Sequence, residues 1–316
     1  MKTPILFLIF NRLDITCKVF EAIRQAKPPR LYIACDGPRV ERNSETEKVQ
    51  AVRDYVMSQI DWDCEVKTLF REENLGCRVA VSSAIDWFFE HEEEGIILED
   101  DCIPHPDFFI YCDILLEKYR LDSRVFSICG SNFQQGKVRG EASYYFSIHG
   151  DSWGWATWKR AWKHYDISQK YWPLFRDSTA LEDVFPIAME REYWKLILDE
   201  LFYHEKPDSW AYQWWLSCWM NGGLSAWPNV NLITNSGFDS IDATHTTKKM
   251  YFSDMPVSGL GEINHPKFIL PNRRADAYAF YHRRSDHLII RKRKLGFLYY
   301  PYRIISKAMA LILPME

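Results

Sequence analysis

The sequence predicts an α/β protein with a mostly parallel sheet that is flanked by helices. In the first 100 residues, four short segments of strand character, three of them with continuous apolar runs, alternate with segments of helical periodicity. Continuous apolar runs of this length are typical of strands buried on both faces of a sheet. Their alternation with helices favours parallel strands that are joined by right-handed crossovers. The 316 residues suffice for one large domain or for one domain with a smaller appendage.

The elements follow each other closely along the chain. Strands are predicted at residues 4–10, 31–35, 65–70, 96–98, 125–129 and 228–233. Helices are predicted after each of the first four strands, and a helical pattern also covers residues 180–204. Asp14 or Thr16 is the expected cap of the first helix. Residues 134–143 are polar and contain glycine, so we expect a surface loop there.

Polar residues follow the first four predicted strands. They are Asn11-Arg12, Asp36, Arg71 and Glu99-Asp100-Asp101. In a parallel sheet these positions meet at one edge, where α/β proteins bind their ligands. The chain contains neither GxGxxG after its first strand nor GxxxxGK[ST]. We therefore expect phosphate charge to be met by a metal ion and by arginine instead of a glycine-rich loop.

The triplet Glu99-Asp100-Asp101 directly follows an apolar strand. Buried carboxylates need a counter-charge, because each unpaired charge costs several kcal/mol to desolvate. A hard divalent cation with oxygen ligands, Mg²⁺ or Mn²⁺, meets that need and can neutralise a diphosphate leaving group. The alternative interpretation is a solvated acidic loop.

Charge and cysteine content restrict the cellular setting. The eight cysteines form no CxxC pair and no zinc-type cluster, which favours a reducing compartment. Residues 283–307 carry a net charge of about +7, interleaved with aromatic residues, whereas the chain as a whole is at −4. This basic amphipathic tail fits an anionic membrane surface better than nucleic acid. No apolar run approaches the roughly 20 residues that span a bilayer, so we expect a cytoplasmic protein, peripheral on the inner face of the membrane.

Several motifs resemble those of GT-A fold, nucleotide-sugar-dependent glycosyltransferases. They are Asn11-Arg12 after the first strand, Asp36-Gly37 after the second, the Asn-Leu-Gly-Cys-Arg run at 74–78, and Glu99-Asp100-Asp101 followed by Pro-Asp-Phe-Phe at 106–109. The chain is most similar to the N-acetylglucosaminyltransferase I group, in which a DXD-like acidic triplet also precedes Pro-Asp-Phe-Phe. Gly154-Trp155, Trp158 and the later Trp-rich segment are further points of similarity. The resemblance covers residues 4–246.

The resemblance implies roles for individual residues in donor binding. Asp101 matches the metal ligand, and Asp36 matches the acid that contacts the nucleotide base. Asn11 and Arg12 match the positions that approach the nucleotide. Glu99 and Asp100 would support the donor and the cation. Arg78 would point toward the phosphates, and His245 would return to the metal from the C-terminal side. The alternative for His245 is a surface histidine in a loop.

An inverting transfer also requires a general base for the acceptor hydroxyl. The related enzymes carry an acid inside the Trp-flanked segment, whereas this chain has Ala211 and its neighbours after Trp210. Asp208 is the nearest replacement and Asp151 the second. For either acid, a helix cap is the alternative role.

Thirteen tryptophans, concentrated at 153–158 and 210–219, suggest a wall on which an acceptor sugar stacks. The candidates for acceptor binding are Trp153, Trp155, Trp210 and Trp214. Taken one at a time, such residues belong more often to a hydrophobic core.

The sequence thus predicts a GT-A domain in two halves. Residues 1–132 would bind the nucleotide sugar, residues 133–282 the acceptor, and residues 283–316 would form the basic tail. The expected activity is metal-dependent, inverting transfer of a sugar from a UDP-sugar to a carbohydrate or lipid-linked glycan acceptor in surface polysaccharide synthesis. A sugar nucleotidyltransferase and a catalytically inactive sugar- or nucleotide-binding homologue are the alternatives.

Overall fold

The computed structural model describes residues 1–237 and 255–284. Within them lie ten strands and ten helices. The strands are β1 (Ile5–Ile9), β2 (Arg30–Cys35), β3 (Glu65–Phe70), β4 (Glu94–Glu99), β5 (Cys102–Pro104), β6 (Val125–Cys129), β7 (Tyr144–Ser147), β8 (Trp155–Trp158), β9 (Leu224–Pro228) and β10 (Ile233–Asn235). The helices are α1 (Leu13–Ala26), α2 (Glu45–Ser58), α3 (Gly76–His91), α4 (Pro106–Tyr119), α5 (Lys159–Trp162), α6 (Trp172–Arg176), α7 (Ala180–Val184), α8 (Ala188–His204), α9 (Ala211–Met220) and α10 (Arg273–Arg284).

Eight strands form a central sheet in the order β3-β2-β1-β4-β8-β6-β9-β7. The first four are parallel, and Ile5 at the start of β1 pairs with Leu31 on one side and Ile96 on the other. All five residues of β1 are buried, which explains their uninterrupted apolar character. This is the predicted fold class at its coarser level: a mixed α/β fold with a mostly parallel sheet flanked by helices.

The second half of the chain completes the same sheet. Strand β8 lies antiparallel between β4 and β6, with Ile97 opposite Trp155. Strand β9 runs parallel to β6, and β7 forms the antiparallel edge. A separate two-stranded sheet joins β5 to β10 and brings Asn235 opposite Cys102, next to the acidic triplet.

Three of the local predictions were wrong. The strand predicted at 228–233 does not form as one element, because residues 229–232 are the connection between β9 and β10. In it, Asn229 and Asn231 use their side-chain amides to donate to backbone carbonyls. The helix predicted over 180–204 is interrupted between α7 and α8 at Pro186, which cannot continue the ladder of backbone bonds. Helix α1 begins at Leu13 after Arg12, so neither Asp14 nor Thr16 caps it.

Helix α10 docks on the β7 edge through a buried carboxylate. Asp276 accepts a hydrogen bond from the Ser147 hydroxyl at 2.5 Å, and its second oxygen is buried without a hydrogen-bond partner. Nearby, the imidazole Nε2 of His149 lies 2.9 Å from the carboxylate of Glu190 on α8. Burial raises the pKa of Asp276, although the charge of His149 opposes the shift.

None of the helices in the described part of the chain is both long enough and apolar enough to cross a membrane. Residues 285–316, which include most of the predicted basic tail, lie outside the described residues.

Candidate functional site

A cleft of about 560 Å³ opens at the carboxyl ends of β1, β2 and β4. It lies where the first half of the chain meets the segment that precedes α9. The polar and aromatic residues that line it are Phe10, Asn11, Arg12, Asp36, Arg39, Arg71, Asn74, Glu99, Asp100, Asp101, Ser152, Trp153, Asp208, Ser209, Trp210, Tyr212, Trp215 and Asn235. The cleft therefore brings together nine of the residues predicted from the sequence.

Arg12 bridges two acids of the triplet. Its Nη2 atom donates to Asp100 Oδ1 and, at 3.0 Å, to Asp101 Oδ2. The side chains of Arg12 and Asp101 are each 16% exposed and that of Asp100 only 6%, so the ion pairs are largely shielded from water. Burial alone would lower the pKa of Arg12, but the two carboxylates outweigh it and raise that pKa. The triplet thus has an internal counter-charge, which the sequence did not reveal.

Glu99 and Asp100 are not equally acidic. Burial, reinforced by the charges of Asp101 and Asp100, raises the pKa of Glu99 to about 8. Burial also raises the pKa of Asp100 to about 6, although Arg12 opposes that shift. The partners of the two acids differ: Glu99, the last residue of β4, accepts a hydrogen bond from Trp210, whereas Asp100, which follows the strand, accepts one from the guanidinium of Arg12.

Asp36, at the end of β2, holds the loop that leads into α3. Its carboxylate accepts the backbone N–H groups of Leu75 (3.0 Å) and Gly76 (3.1 Å) and the side-chain amide of Asn74 (3.0 Å). Burial raises the pKa of Asp36, while these donors oppose the shift. Burial lowers the pKa of the neighbouring Arg71, whose guanidinium donates to Ser83. This end of the cleft therefore offers a fixed acid and a half-buried arginine to a ligand.

A second network fixes Asn11. The buried Glu45 accepts from the Asn11 amide at 2.9 Å and from the backbone N–H and guanidinium of Arg39. The guanidinium of Arg39 in turn lies 5.3 Å from the ring centre of Phe10. A planar cation over an aromatic ring gives this wall of the cleft a flat surface on which a nucleobase can stack.

Asp208 caps a helix, although not the one that follows it in sequence. Its oxygens accept the backbone N–H groups of Cys77 (2.9 Å) and Arg78 (3.1 Å) at the start of α3. The first residue of α3, Gly76, has φ +77°, and a Cβ atom there would lie 2.9 Å from Asp208 Oδ2. Asp208 also lines the cleft, so it remains within reach of a ligand.

Four predicted site residues lie outside the cleft. Asp151 is 1% exposed, and Trp155 and Trp214 are 0% and 1% exposed. The guanidinium of Arg78 points to Glu205, with an ion pair of 3.0 Å. None of these four residues lines the cleft.

The high tryptophan content reflects the core of the second half. Ten of the thirteen tryptophans are buried. The ring centres of Trp155 and Trp210 are 5.4 Å apart and those of Trp162 and Trp214 are 5.2 Å apart, whereas Trp219 packs against Phe185 on another side of α9. Most of the tryptophans therefore belong to the core instead of the predicted wall for an acceptor sugar. Of the four predicted acceptor contacts, Trp153 and Trp210 line the cleft.

Strand β10 brings a further polar wall to Asp101. Asn235 Nδ2 lies 3.5 Å from Asp101 Oδ1, and the backbone N–H of Ser236 donates to the Asp101 carbonyl at 2.9 Å. At Gly237 a Cβ atom would lie 2.3 Å from Asp101 Oδ2, so the close approach requires glycine. His245 lies outside the described residues.

Asp101 and Asp100 are the residues of the triplet that could hold a divalent cation at the cleft. Among residues 1–237 and 255–284, no three His, Cys, Asp or Glu side chains are grouped to hold a metal ion. Mg²⁺ commonly takes only one or two carboxylates and completes its coordination with water and substrate phosphates. Asp101 in the cleft, with Asp100 beside it, provides that partial set.

Sequence reasoning missed three features of the cleft. It did not predict the Arg12 bridge, the Glu45–Arg39–Asn11 network or the approach of Asn235. The Asn-Ser-Gly run at 235–237 was the available signal for the last of these, because such residues mark a tight connection. The other two contacts join residues that no local pattern relates.

No protein-family model and no curated protein sequence matches this chain. Among solved structures it is similar to S. aureus TarS (residues 1–349), with 10% identity and a TM-score of 0.41 over 75% of this chain and 61% of that one. The glycosyltransferase GlyE of Streptococcus pneumoniae TIGR4 has 15% identity and a TM-score of 0.27 over 66% of this chain and 44% of that one. A UDP-glucose pyrophosphorylase complexed with UDP-glucose has 11% identity and a TM-score of 0.30 over 52% and 79%. At these TM-scores the likenesses leave the function to be argued from the residues themselves.

Proposed function

We propose that this chain is a metal-dependent glycosyltransferase that moves a sugar from a nucleoside-diphosphate donor, a UDP-sugar, to an acceptor hydroxyl. The observation that carries the proposal is the pairing of Arg12 with Asp100 and Asp101 in a cleft at the carboxyl ends of three parallel strands. An arginine fork suits a diphosphate, and the carboxylates beside it suit the cation that a diphosphate brings.

The charge of the cleft supports a need for that cation. The lining contains five carboxylic acids and three arginines, so it has no surplus of positive charge for a diphosphate. Asp101 and Asp100 would hold Mn²⁺ or Mg²⁺ together with the phosphates. Such a cation, when bound, stabilises the negative charge that develops on the leaving diphosphate.

The other end of the cleft supports a nucleoside. Asp36 and Asn74 offer hydrogen-bonding groups at the end of β2, and Arg39 over Phe10 offers a stacking surface. In this proposal the base lies along that wall, and Asn11 is held toward the ribose by Glu45.

Asp208 is the proposed general base. Each of its oxygens accepts one backbone N–H, which leaves a lone pair on each for a proton. The acceptor hydroxyl would lose its proton to Asp208 as its oxygen bonds to the anomeric carbon. The bond from that carbon to the donor phosphate would break, and the nucleoside diphosphate would leave with the electron pair. Attack opposite the leaving group inverts the anomeric centre.

Trp153 is the proposed acceptor contact. It is half-buried, lines the cleft and packs edge-on against Phe133 at 5.5 Å between ring centres. An exposed indole face suits the apolar face of a sugar ring. A carbohydrate or lipid-linked glycan for a surface polysaccharide is the proposed acceptor, and the basic segment 283–307 would bring the enzyme to an anionic membrane.

A sugar nucleotidyltransferase is less well supported by this site. Only three residues, Phe10 to Arg12, connect β1 to α1. That connection leaves no room for a glycine-rich loop around a nucleoside triphosphate. Release of inorganic diphosphate from a nucleoside triphosphate and a sugar phosphate would favour this alternative.

The test uses the full chain and two variants. A thermal-shift screen of nucleoside diphosphates with and without Mn²⁺ should raise the melting temperature most for UDP with Mn²⁺, because a bound ligand stabilises the folded state. Asp101→Asn should remove the Mn²⁺-dependent part of the shift and abolish transfer from a UDP-sugar. Arg124→Gln, a change in an exposed arginine far from the cleft in this fold, is the control. Full activity in Asp101→Asn would overturn the proposal.

A further inference from the structure

Arg12 occupies oxygen atoms that a cation at Asp101 would need. Its guanidinium donates to both Asp100 and Asp101, and the second contact, at 3.0 Å, uses Asp101 Oδ2. The other oxygen of Asp101 lies 3.3 Å from the thiol of Cys102 and 3.5 Å from the Asn235 amide. Both oxygens of the proposed metal ligand are therefore engaged by side chains of this protein.

The same guanidinium has a second partner available in a glycosyltransferase. Arg12 lines the cleft and is the third residue after the end of β1, where a donor diphosphate would lie. Phosphate oxygens accept paired N–H bonds from arginine as well as carboxylates do. The fork can therefore bond the carboxylate pair or the diphosphate, but the same N–H groups cannot bond both.

We propose that Arg12 is an exchangeable counter-ion. Its guanidinium bonds Asp100 and Asp101 in the absence of ligand and moves to the diphosphate when one binds, and only then can Asp101 bind the cation. This inference rests on the proposed function and adds an order to it: the cation by itself binds poorly, and the diphosphate prepares its site.

The physical basis is a competition for Asp101. A ligand that binds only one of two states has its affinity reduced by the fraction of protein in that state. With Arg12 on the carboxylates, Mn²⁺ must displace a shielded, doubly bonded cation. With Arg12 on the diphosphate, two partly buried acids lose their counter-charge, which the divalent ion restores. By linkage, Mn²⁺ then favours diphosphate binding by the same factor.

The test measures Mn²⁺ binding without any nucleotide, by calorimetry on the full chain. Wild type should bind Mn²⁺ alone weakly, and Arg12→Gln should bind it at least about tenfold more tightly. Arg71→Gln is the matched control, since Arg71 lines the same cleft but bonds Ser83 instead of the triplet. Its affinity for Mn²⁺ alone should stay within about threefold of wild type. Equal affinities in Arg12→Gln and wild type would overturn the inference.

A second measurement needs no variant. The ¹⁵N resonance of Arg12 Nε should move when UDP is added without metal, and Mg²⁺ alone should leave it in place. The exchange would be contradicted if the chemical shift of this resonance did not change on addition of UDP, or if Mg²⁺ alone changed it by the same amount. Neither experiment depends on sugar transfer, so a chain that binds UDP and Mn²⁺ but transfers nothing would refute the proposed function and still support the exchange. If wild type binds Mn²⁺ under no condition, with UDP or without, both fall.

Discussion

The carboxylate of Asp208 accepts the backbone N–H of Cys77 at 2.9 Å, across 131 residues of chain. The same carboxylate takes the N–H of Arg78, so a residue of the second half caps a helix of the first. This bond joins the two walls of the cleft at one point. Asp208, the proposed general base, thus also fixes the start of α3, the helix that follows the loop bound by Asp36.

The two roles of Asp208 can be separated. Asp208→Asn keeps an acceptor oxygen for only one of the two capped N–H groups and cannot take a proton, so transfer should fall about 10²- to 10⁴-fold while part of the cap is lost. Asp208→Ala should lose the whole cap, at a cost of about 1 kcal/mol. Urea unfolding and transfer assays on both variants measure this. Near-normal transfer by Asp208→Asn would exclude the base role.

The contact of Gly237 with Asp101 predicts an effect on cation binding. A Cβ atom in Gly237→Ala would lie 2.3 Å from Asp101 Oδ2 and must displace it. Mn²⁺ binding in the presence of UDP should weaken at least about tenfold. Gly222→Ala is the control, because its φ of +67° gives a stability cost of about 1 kcal/mol while no other residue lies within 4 Å. If both variants bind Mn²⁺ like wild type, Asp101 is not the ligand.

Two neighbouring tryptophans should respond in opposite ways. Trp153→Ala removes a half-buried ring from the cleft and should raise KM for the acceptor with little loss of stability. Trp155→Ala removes a fully buried ring that stacks on Trp210, and should cost about 3–5 kcal/mol of unfolding free energy. Thermal unfolding together with acceptor kinetics distinguishes them. A strong destabilisation by Trp153→Ala would remove it from the acceptor site.

The buried Asp276 should make stability depend on pH. Its folded pKa is raised above 3.8, mainly by burial, so the unfolded chain loses this proton first as the pH rises. The free energy of unfolding that this proton contributes is therefore complete below about pH 4. It decreases as the pH rises from there to the folded-state pKa. His149 opposes the shift, whereas Glu190 adds to it.

Asp276→Asn should remove this dependence while keeping an acceptor for the Ser147 hydroxyl. The variant should gain stability relative to wild type as the pH is raised from 4 to 7, measured by urea unfolding at several pH values. A difference between the two proteins that stays constant with pH would contradict the assignment.

The first half of the fold could be read from the sequence because its signals are local. Strands β1, β2 and β4 each contain a short apolar run, β3 is a partly exposed edge strand, and the polar residues after these four strands do line one cleft. The sequence around β8 contains no such local signal. Trp155–Trp158 looked like part of a binding wall, whereas its partners on β4 and β6 lie tens of residues away in sequence.

The same limit applies to the site. Asp36 and Asp101 could be proposed from their positions at strand ends, but what they contact could not. The cap from Asp208 to Cys77 and the Arg12 bridge to Asp100 depend on contacts between residues more than 80 positions apart. The excess of tryptophan was misread for a related reason, since composition does not tell whether a ring packs against another ring or faces a ligand.

The position of β8 bears on how the chain reaches its native state during synthesis. Strands β1 to β4 are complete by residue 99, yet the edge of β4 gains its neighbour only after Trp158 has left the ribosome, and β6 gains β9 only after Pro228. Until then an apolar strand edge is open to pairing with other chains. Pairings over such sequence distances also form slowly. We therefore expect a nascent chain shorter than about 230 residues to depend on chaperones.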